Sequence, residues 1–297
     1  MLKILYLPIG KQPGTERAFR KFASTKVLDF MSSRNAAHDL TQITNSFKPD
    51  LVHMQLQMTS KIPPNVVAEL KKQNPGTIFT NWTGDIRSKP CRNFIGMSGT
   101  VDFSLLSSTG QIELFRNHGC KNPMYWQIGY DPVLYYPKNK ANFKYDVSFI
   151  ANNYNNMFPD SKMRGSVVVQ IKQNYQNRSG IFGSGYNPRL KIKSCTLEQT
   201  NDIYNDSICI ISISNFNDVE HYFSDRMLMC LASGRPTITY RFPGLGSYFT
   251  DRGDLLVANS VQEIFQLIDK CKANLNWANE IGRNGHLKVL SEHTFES

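Results

Sequence analysis

Residues 208–240 read ICIISISNFNDVEHYFSDRMLMCLASGRPTITY, and the order of apolar and polar positions in them decides the fold class. Residues 208–213 read as a strand, and 215–223 as a polar loop. Ser224 then opens a helix that turns Met227, Leu228, Leu231 and Ala232 inward, and Gly234 with Pro236 ends it. Thr237-Ile238-Thr239-Tyr240 is a second strand. Strand, helix and strand in succession make the unit that joins parallel strands.

The same alternation runs outward in both directions. Asp146-Val147-Ser148-Phe149-Ile150 reads as a strand, and Thr196-Leu197-Glu198-Gln199 has the spacing of a capping box, opening a helix that ends near Tyr204. Ser260-Val261-Gln262-Glu263 is a second such box, with Ile264, Leu267 and Ile268 on one face of the helix behind it. In the first half, residues 2–7 read as a strand closed by Pro8 and Gly10, and the basic stretch 15–30 has helical potential. Lys48-Pro49-Asp50 is a turn feeding a strand, Pro63-Pro64 opens a helix stopped at Asn74-Pro75-Gly76, and 77–82 and 101–106 are further strands. The expected fold class is α/β, with doubly wound parallel sheets. Around Tyr130-Asp131-Pro132 and residues 136–140 the pattern breaks into a segment bearing Pro and Lys. The expectation is therefore two Rossmann-like domains, 1–142 and 143–297, facing a central cleft.

Composition agrees with that scale. The chain has 297 residues, 40% hydrophobic and 11% aromatic, enough for two cored domains and too apolar for disorder. No run approaches the roughly 18 apolar residues of a membrane span, and the first residues lack the layout of a signal peptide, so a cytoplasmic chain is expected. The six cysteines form no CxxC, which points away from zinc knuckles and redox pairs. The net charge of +10 is unevenly spread: residues 1–142 hold 18 Lys and Arg against 9 Asp and Glu. That asymmetry fits a polyanionic partner, and equally a solubility surface.

Two segments can carry chemistry. At residues 214–226 a strand end, a polar loop and a helix start would present backbone N–H groups and Arg226 to an anion such as a diphosphate. Asp225 as a plain cap and Arg226 as a surface residue is the competing reading. Gly244 and Gly246 after the strand 237–240, and Gly183 after Ile181-Phe182, sit in turns where backbone could approach a phosphate. The opening Gly10-Lys11-Gln12-Pro13-Gly14 fits neither a dinucleotide fingerprint nor a P-loop. In the first half, Asn81-Trp82-Thr83-Gly84-Asp85-Ile86-Arg87 leaves a strand with an acid, a base and an aromatic together. Asp85 there is a candidate general base, Arg87 a candidate anion contact and Trp82 a candidate stacking surface. His53 and His118 read as ordinary packing or surface residues.

The run 223–238 resembles the nucleotide-sugar motif of GT-B glycosyltransferases of group 1, especially the CgeB-like group. Asp146-Val147-Ser148-Phe149-Ile150, Ile181-Phe182-Gly183-Ser184-Gly185, Asp254-Leu255-Leu256-Val257, Ile281-Gly282-Arg283-Asn284-Gly285 and Glu292-His293-Thr294-Phe295 support it, and 129–137 is similar to the family's interdomain segment. The resemblance implies a nucleoside diphosphate sugar donor, usually a uridine one, no required metal or other cofactor, and a terminal helix that is a candidate to cross back to the first domain. Where relatives carry a glutamate after the Arg-x-x of the motif, to hold the donor ribose, this chain has Met229. His221 stands eight positions earlier beside Glu220, which leaves Glu220 or Asp225 for that role.

The reading is a glycosyltransferase that binds its donor through Ser224, Asp225, Arg226, Glu220, Gly183, Gly244 and Gly246, with Asp85 as catalytic base. For the acceptor, the charge split favours a hydroxymethylated base in duplex DNA, as in phage DNA glucosyltransferases. Arg17, Arg20, Lys21 and Lys26 with Arg87, Lys89 and Arg92 are expected on the cleft side, contacting phosphates, and a flipped base reaches Asp85 against Trp82. A surface glycan or protein acceptor, and a non-catalytic nucleic-acid-binding protein, are the alternatives.

Overall fold

The computed structural model describes residues 1–57, 60–155 and 157–297. Its chain divides into two compact units, Met1–Ile128 with Glu296 and Gly129–Phe295 with Ser297. The dividing point lies upstream of the expected 142/143. Residues 129–142 belong with the second unit because Tyr130 bridges to Thr294, its N–H donating to the His293 carbonyl at 3.0 Å. The backbone N–H of Lys138 likewise donates to Asn205 Oδ1 at 2.6 Å.

The first unit runs β1 (Lys3–Leu7), α1 (Pro13–Phe22), β2 (Ser24–Val27), α2 (Ala36–Phe47), β3 (Leu51–Met54), α3 (Pro64–Gln73), β4 (Ile78–Thr83), α4 (Arg92–Ser98), β5 (Phe103–Leu106), α5 (Ile112–Asn117) and β6 (Pro123–Tyr125). Its six strands are parallel, in the order β2-β1-β3-β4-β5-β6. Leu5, Leu7, Val52, Met54 and Phe79 point to one face, where Leu40 of α2, Val67 and Leu70 of α3 and Met97 of α4 close a core over them. Right-handed crossovers demand this, since β3, β4 and β5 step in one direction while β1 to β2 steps in the other and sends α1 to the opposite face. There Phe19 meets Tyr6 edge-on at 5.2 Å. The helix expected over 15–30 is cut at Phe22, because 24–27 pairs with β1 instead. The sequence reading has no counterpart for α2, whose start is fixed by Asn35 accepting from the His38 N–H at 3.2 Å.

The second unit runs β7 (Tyr145–Ile150), α6 (Ser161–Tyr175), β8 (Ser179–Phe182), α7 (Leu197–Asn205), β9 (Ser207–Ser212), α8 (Asp225–Ala232), β10 (Thr237–Tyr240), β11 (Leu256–Ala258), α9 (Val261–Ala273) and α10 (Leu275–Glu292). The five strands are parallel, ordered β11-β10-β9-β7-β8. The Thr196 capping box forms in full. At α9 only half of the expected box forms: Ser260 Oγ accepts from the Glu263 N–H, but the Glu263 carboxylate turns to the Asn259 N–H at 2.8 Å. The terminal helix α10 groups with this second unit, pressed against the chain at Gly234 through Gly282, and of the tail beyond it only Glu296 groups with the first.

Candidate active site

In both sheets the carboxyl ends of parallel strands open into loops, the edge where α/β folds bind ligands. Among the described residues, that edge of the second unit carries Ser224 Oγ, Arg226 Nη1 and Arg164 Nε buried without a hydrogen-bond partner. Ser224 sits at the N-cap of α8, yet its hydroxyl makes no cap bond. Asp225 Oδ1 takes the Arg226 N–H at 2.7 Å instead, and the serine oxygen stays free. Arg164 lies in the first turn of α6, 4% exposed, with its guanidinium 5.7 Å from the Phe149 ring and Nη2 only 3.5 Å from the Asn152 carbonyl. Burial pulls its pKa down to about 10, and the charge of Arg226 pushes the same way. The remaining groups acting on it are the phenols of Tyr186, Tyr154 and Tyr222. A guanidinium desolvated near a second cation, with phenols as the groups that oppose the shift, is costly without an anion. Arg164 was not among the residues expected from sequence; it stands far from the 223–238 motif, and only burial singles it out.

The other donor candidates differ in standing. Gly183 answers to packing: a Cβ there would lie 2.0 Å from the Ala151 carbonyl oxygen, where the loops after β7 and β8 close on each other. Gly244 has φ +79°, and its missing side chain makes room for the His221 ring. Gly246 faces open space, and residues 241–246 border an open concavity of about 370 Å³. Glu220 is exposed on the loop before α8. Met229 packs against the buried Tyr204, Ile210 and Cys230.

In the first unit, β4 delivers Asp85 and Arg87 to its carboxyl end, where Arg87 Nη2 stands 3.4 Å from Asp85 Oδ2. Thr83 Oγ1 accepts from the Asp85 N–H at 3.3 Å. Two small adjoining pockets, each with room for about one water, share Thr83, Asp85 and Phe115; the first adds Ser107, Ser108 and Gln111, the second Gln57 and Arg87. Lys89 is exposed further along the same loop, and Arg92 is exposed at the first position of α4. Trp82 does not offer the expected stacking surface: it is buried, its indole N–H donates to the Trp126 carbonyl at 3.3 Å, and Gly84 lies against its ring.

The cations of α1 and β2 also depart from expectation. Helix α1 leaves the carboxyl end of β1 and returns to the amino end of β2, so its last turn lies at the opposite edge of the sheet. Arg20 there donates to the Thr25 carbonyl at 3.1 Å and pairs with Glu16, while Lys21 pairs with Glu296 at 2.5 Å. Lys26 rests 4.9 Å from the Phe47 ring at the end of α2. Arg17, one turn earlier, is half-buried. His53 is buried, hydrogen-bonded to Thr80 Oγ1 at 2.9 Å, and burial holds its pKa near about 3. His118 closes α5 through the Leu114 carbonyl. Among the described residues no group of three or more His, Cys, Asp or Glu could hold a metal, and no helix is long and apolar enough to cross a membrane.

Residues 164–297 match the family described as "Glycosyl transferase-like". No curated protein sequence matches the chain. Among solved structures, sucrose-phosphate synthase from Thermosynechococcus elongatus is 10% identical with a TM-score of 0.66, covering 100% of this chain and 96% of that one. Anabaena HepE in complex with UDP and glucose is 12% identical with a TM-score of 0.64, covering 99% and 96%. A glycosyltransferase from Rickettsia africae is 11% identical at 0.62, covering 99% and 94%. At such identities the likeness is one of fold. The chain has the GT-B fold over its length and a glycosyl transferase-like domain over residues 164–297; it is built as a glycosyltransferase.

Proposed function

We propose that this protein, a glycosyltransferase of the CgeB-like group, moves a sugar from a uridine diphosphate sugar to a hydroxyl acceptor. The observation that carries the donor half is the pair Arg164 and Arg226, each with a buried nitrogen lacking a partner, next to the unpartnered Ser224 hydroxyl. Two guanidinium groups match a diphosphate in charge and in fork geometry. They also stabilise the charge that gathers on the nucleotide as it leaves, so no metal is needed for that task. The HepE complex with UDP, in a protein of the same fold, supports uridine as the base. Asp85 is the acceptor-side base.

A hydroxymethylated base in DNA retains the uneven charge of residues 1–142 as support. It loses Arg20, Lys21 and Lys26, which lie at the far edge of the sheet. Titration calorimetry with UDP tests the donor half: Arg164→Gln should lower affinity by about 1–3 kcal/mol. An unchanged affinity removes Arg164 from the donor site.

A further inference from the structure

We infer that the first unit carries, at the edge of its sheet opposite Asp85, a surface that docks on an anionic lipid bilayer. The backbone marks that edge. The N–H groups of Ser24, Asp50, Ile78, Asp102 and Ser104 donate to the carbonyls of Leu2, Lys3, Asp50, Phe79 and Asn122 in turn, at 2.8–3.0 Å, and so set the amino ends of the six strands side by side. Five steps of about 4.8 Å make the edge about 24 Å long.

Large apolar side chains stand open along it. Leu2, Phe22 at the end of α1, Ile78, Phe103 and Met124 are between 38 and 63% exposed. Strand register accounts for three of them. Leu51 pairs with Ile78, Thr80 with Phe103 and Leu105 with Met124, so Ile78, Phe103 and Met124 share one face of the sheet. Helices α2 to α5 pack on the other face, with Phe79 and Leu106. Helix α1 lies over β1 and β3, where Phe19 meets the Tyr6 and His53 rings. Among the described residues, no helix of the first unit covers β4 to β6 on this face. A cluster of this kind marks an interface.

The same edge is cationic. Lys3, Lys26, Lys48 and Lys121 lie along it and, among the described residues, form no ion pair. Lys3 and Lys26 stand 5.6 and 4.9 Å from the Phe47 ring at the end of α2, Lys48 follows at the C-cap, and Lys121 precedes β6. Arg20, Lys21, Lys71 and Lys72, in the last turns of α1 and α3, already have carboxylate partners. Against the four lysines stands Asp50, whose carboxylate accepts from the Lys3 N–H at 2.7 Å. Part of the positive excess of residues 1–142 is therefore gathered where the apolar side chains are.

That combination selects the partner. A bilayer with acidic headgroups takes both, phosphates on the lysines and acyl chains on Phe22, Phe103 and their neighbours. Duplex DNA would use the lysines and leave the apolar groups in water. A second copy of the chain would bring like charges together. Docked in this way, the edge that carries Asp85 and Arg87 faces away from the lipid.

The test floats the purified chain with vesicles of phosphatidylcholine alone, or of phosphatidylcholine and phosphatidylserine at about three to one. The chain should rise with the acidic vesicles and stay behind with the neutral ones. Its partition coefficient should fall at least about tenfold between roughly 50 and 500 mM salt. Lys26→Gln with Lys121→Gln, and separately Phe22→Ser with Phe103→Ser, should each lower that coefficient by roughly tenfold or more, with melting temperatures within about two degrees of the parent. Lys89→Gln with Arg92→Gln removes as much charge from the opposite side of the unit and should change binding by less than about twofold. No flotation with acidic vesicles overturns the inference, whether the chain is then found on duplex DNA or as a dimer that the Phe22 and Phe103 substitutions break. Equal flotation with neutral vesicles does the same. So does flotation that the Lys89 and Arg92 substitutions weaken as much as those of Lys26 and Lys121, or that the phenylalanine substitutions leave unchanged.

Discussion

Arg226 shows how the choices of neighbouring groups leave one side chain with an unsatisfied buried nitrogen, the feature on which the proposed donor site rests. Its own N–H is taken by Asp225, the Ser224 hydroxyl is left over, and its Nη1 is shut away from solvent without a partner. Each of these is tolerable only if a ligand supplies the missing bonds. Arg226→Ala should therefore weaken UDP binding by about 1–3 kcal/mol in calorimetry, with the heat of binding falling as well. Asp85 is prepared differently, exposed at the end of β4 and held by Arg87. Asp85→Asn keeps the shape and removes the carboxylate, so with Asp85 as the proposed base UDP affinity should hold while transfer falls roughly a hundredfold. Turnover near that of the parent chain would make Asp85 a structural residue. Ser224, Asp225 and Arg226 were legible because they sit in one motif. Arg164 was not, since an arginine in a helix with no neighbouring signature is usually a surface residue.

Elements declare themselves when their ends carry local chemistry. Helix α7 starts where the Thr196 spacing says it should, because Thr196 Oγ1 accepts from the Gln199 N–H and Gln199 Oε1 returns the favour to the Thr196 N–H at 2.9 Å. Thr196→Ala should cost about 0.5–2 kcal/mol in urea denaturation. Strand β2 has no such signal: its four residues lie inside a basic stretch, and pairing with β1 overrides the helical potential. Helix α10 depends on closeness. A Cβ on Gly282 would lie 2.3 Å from the Gly234 carbonyl oxygen, against backbone that ends α8. Gly282→Val should lower the melting temperature by several degrees, the effect of about 1–3 kcal/mol of overpacking.

At the scale of the whole molecule, buried histidines tie stability to pH. The pKa of His53 is about 3 in the fold against 6.5 for the free group, so between those values the unfolded chain binds a proton that the folded chain refuses. Stability is then full above pH 6.5 and falls as pH drops toward 3, by up to about 1.4 kcal/mol per pH unit from this group. His286 and His293, lowered by burial too, slope the same way. Urea midpoints between pH 7 and 4 should show this, and His53→Gln should flatten part of it. The periodicity of 208–240, the two capping signals and the Gly234-Arg235-Pro236 stop were enough to assign parallel α/β sheets, because caps, turns and apolar alternation act over a few residues. The uneven charge was equally plain in the sequence, but its meaning was not. Which edge of a sheet a lysine occupies depends on the direction in which its helix returns. Whether Trp82 is open to a ligand or packed under Gly84, and whether Arg164 is exposed or buried, depends on contacts between residues far apart in the chain. Those contacts exist only once the strands have paired, so tertiary structure alone decided them.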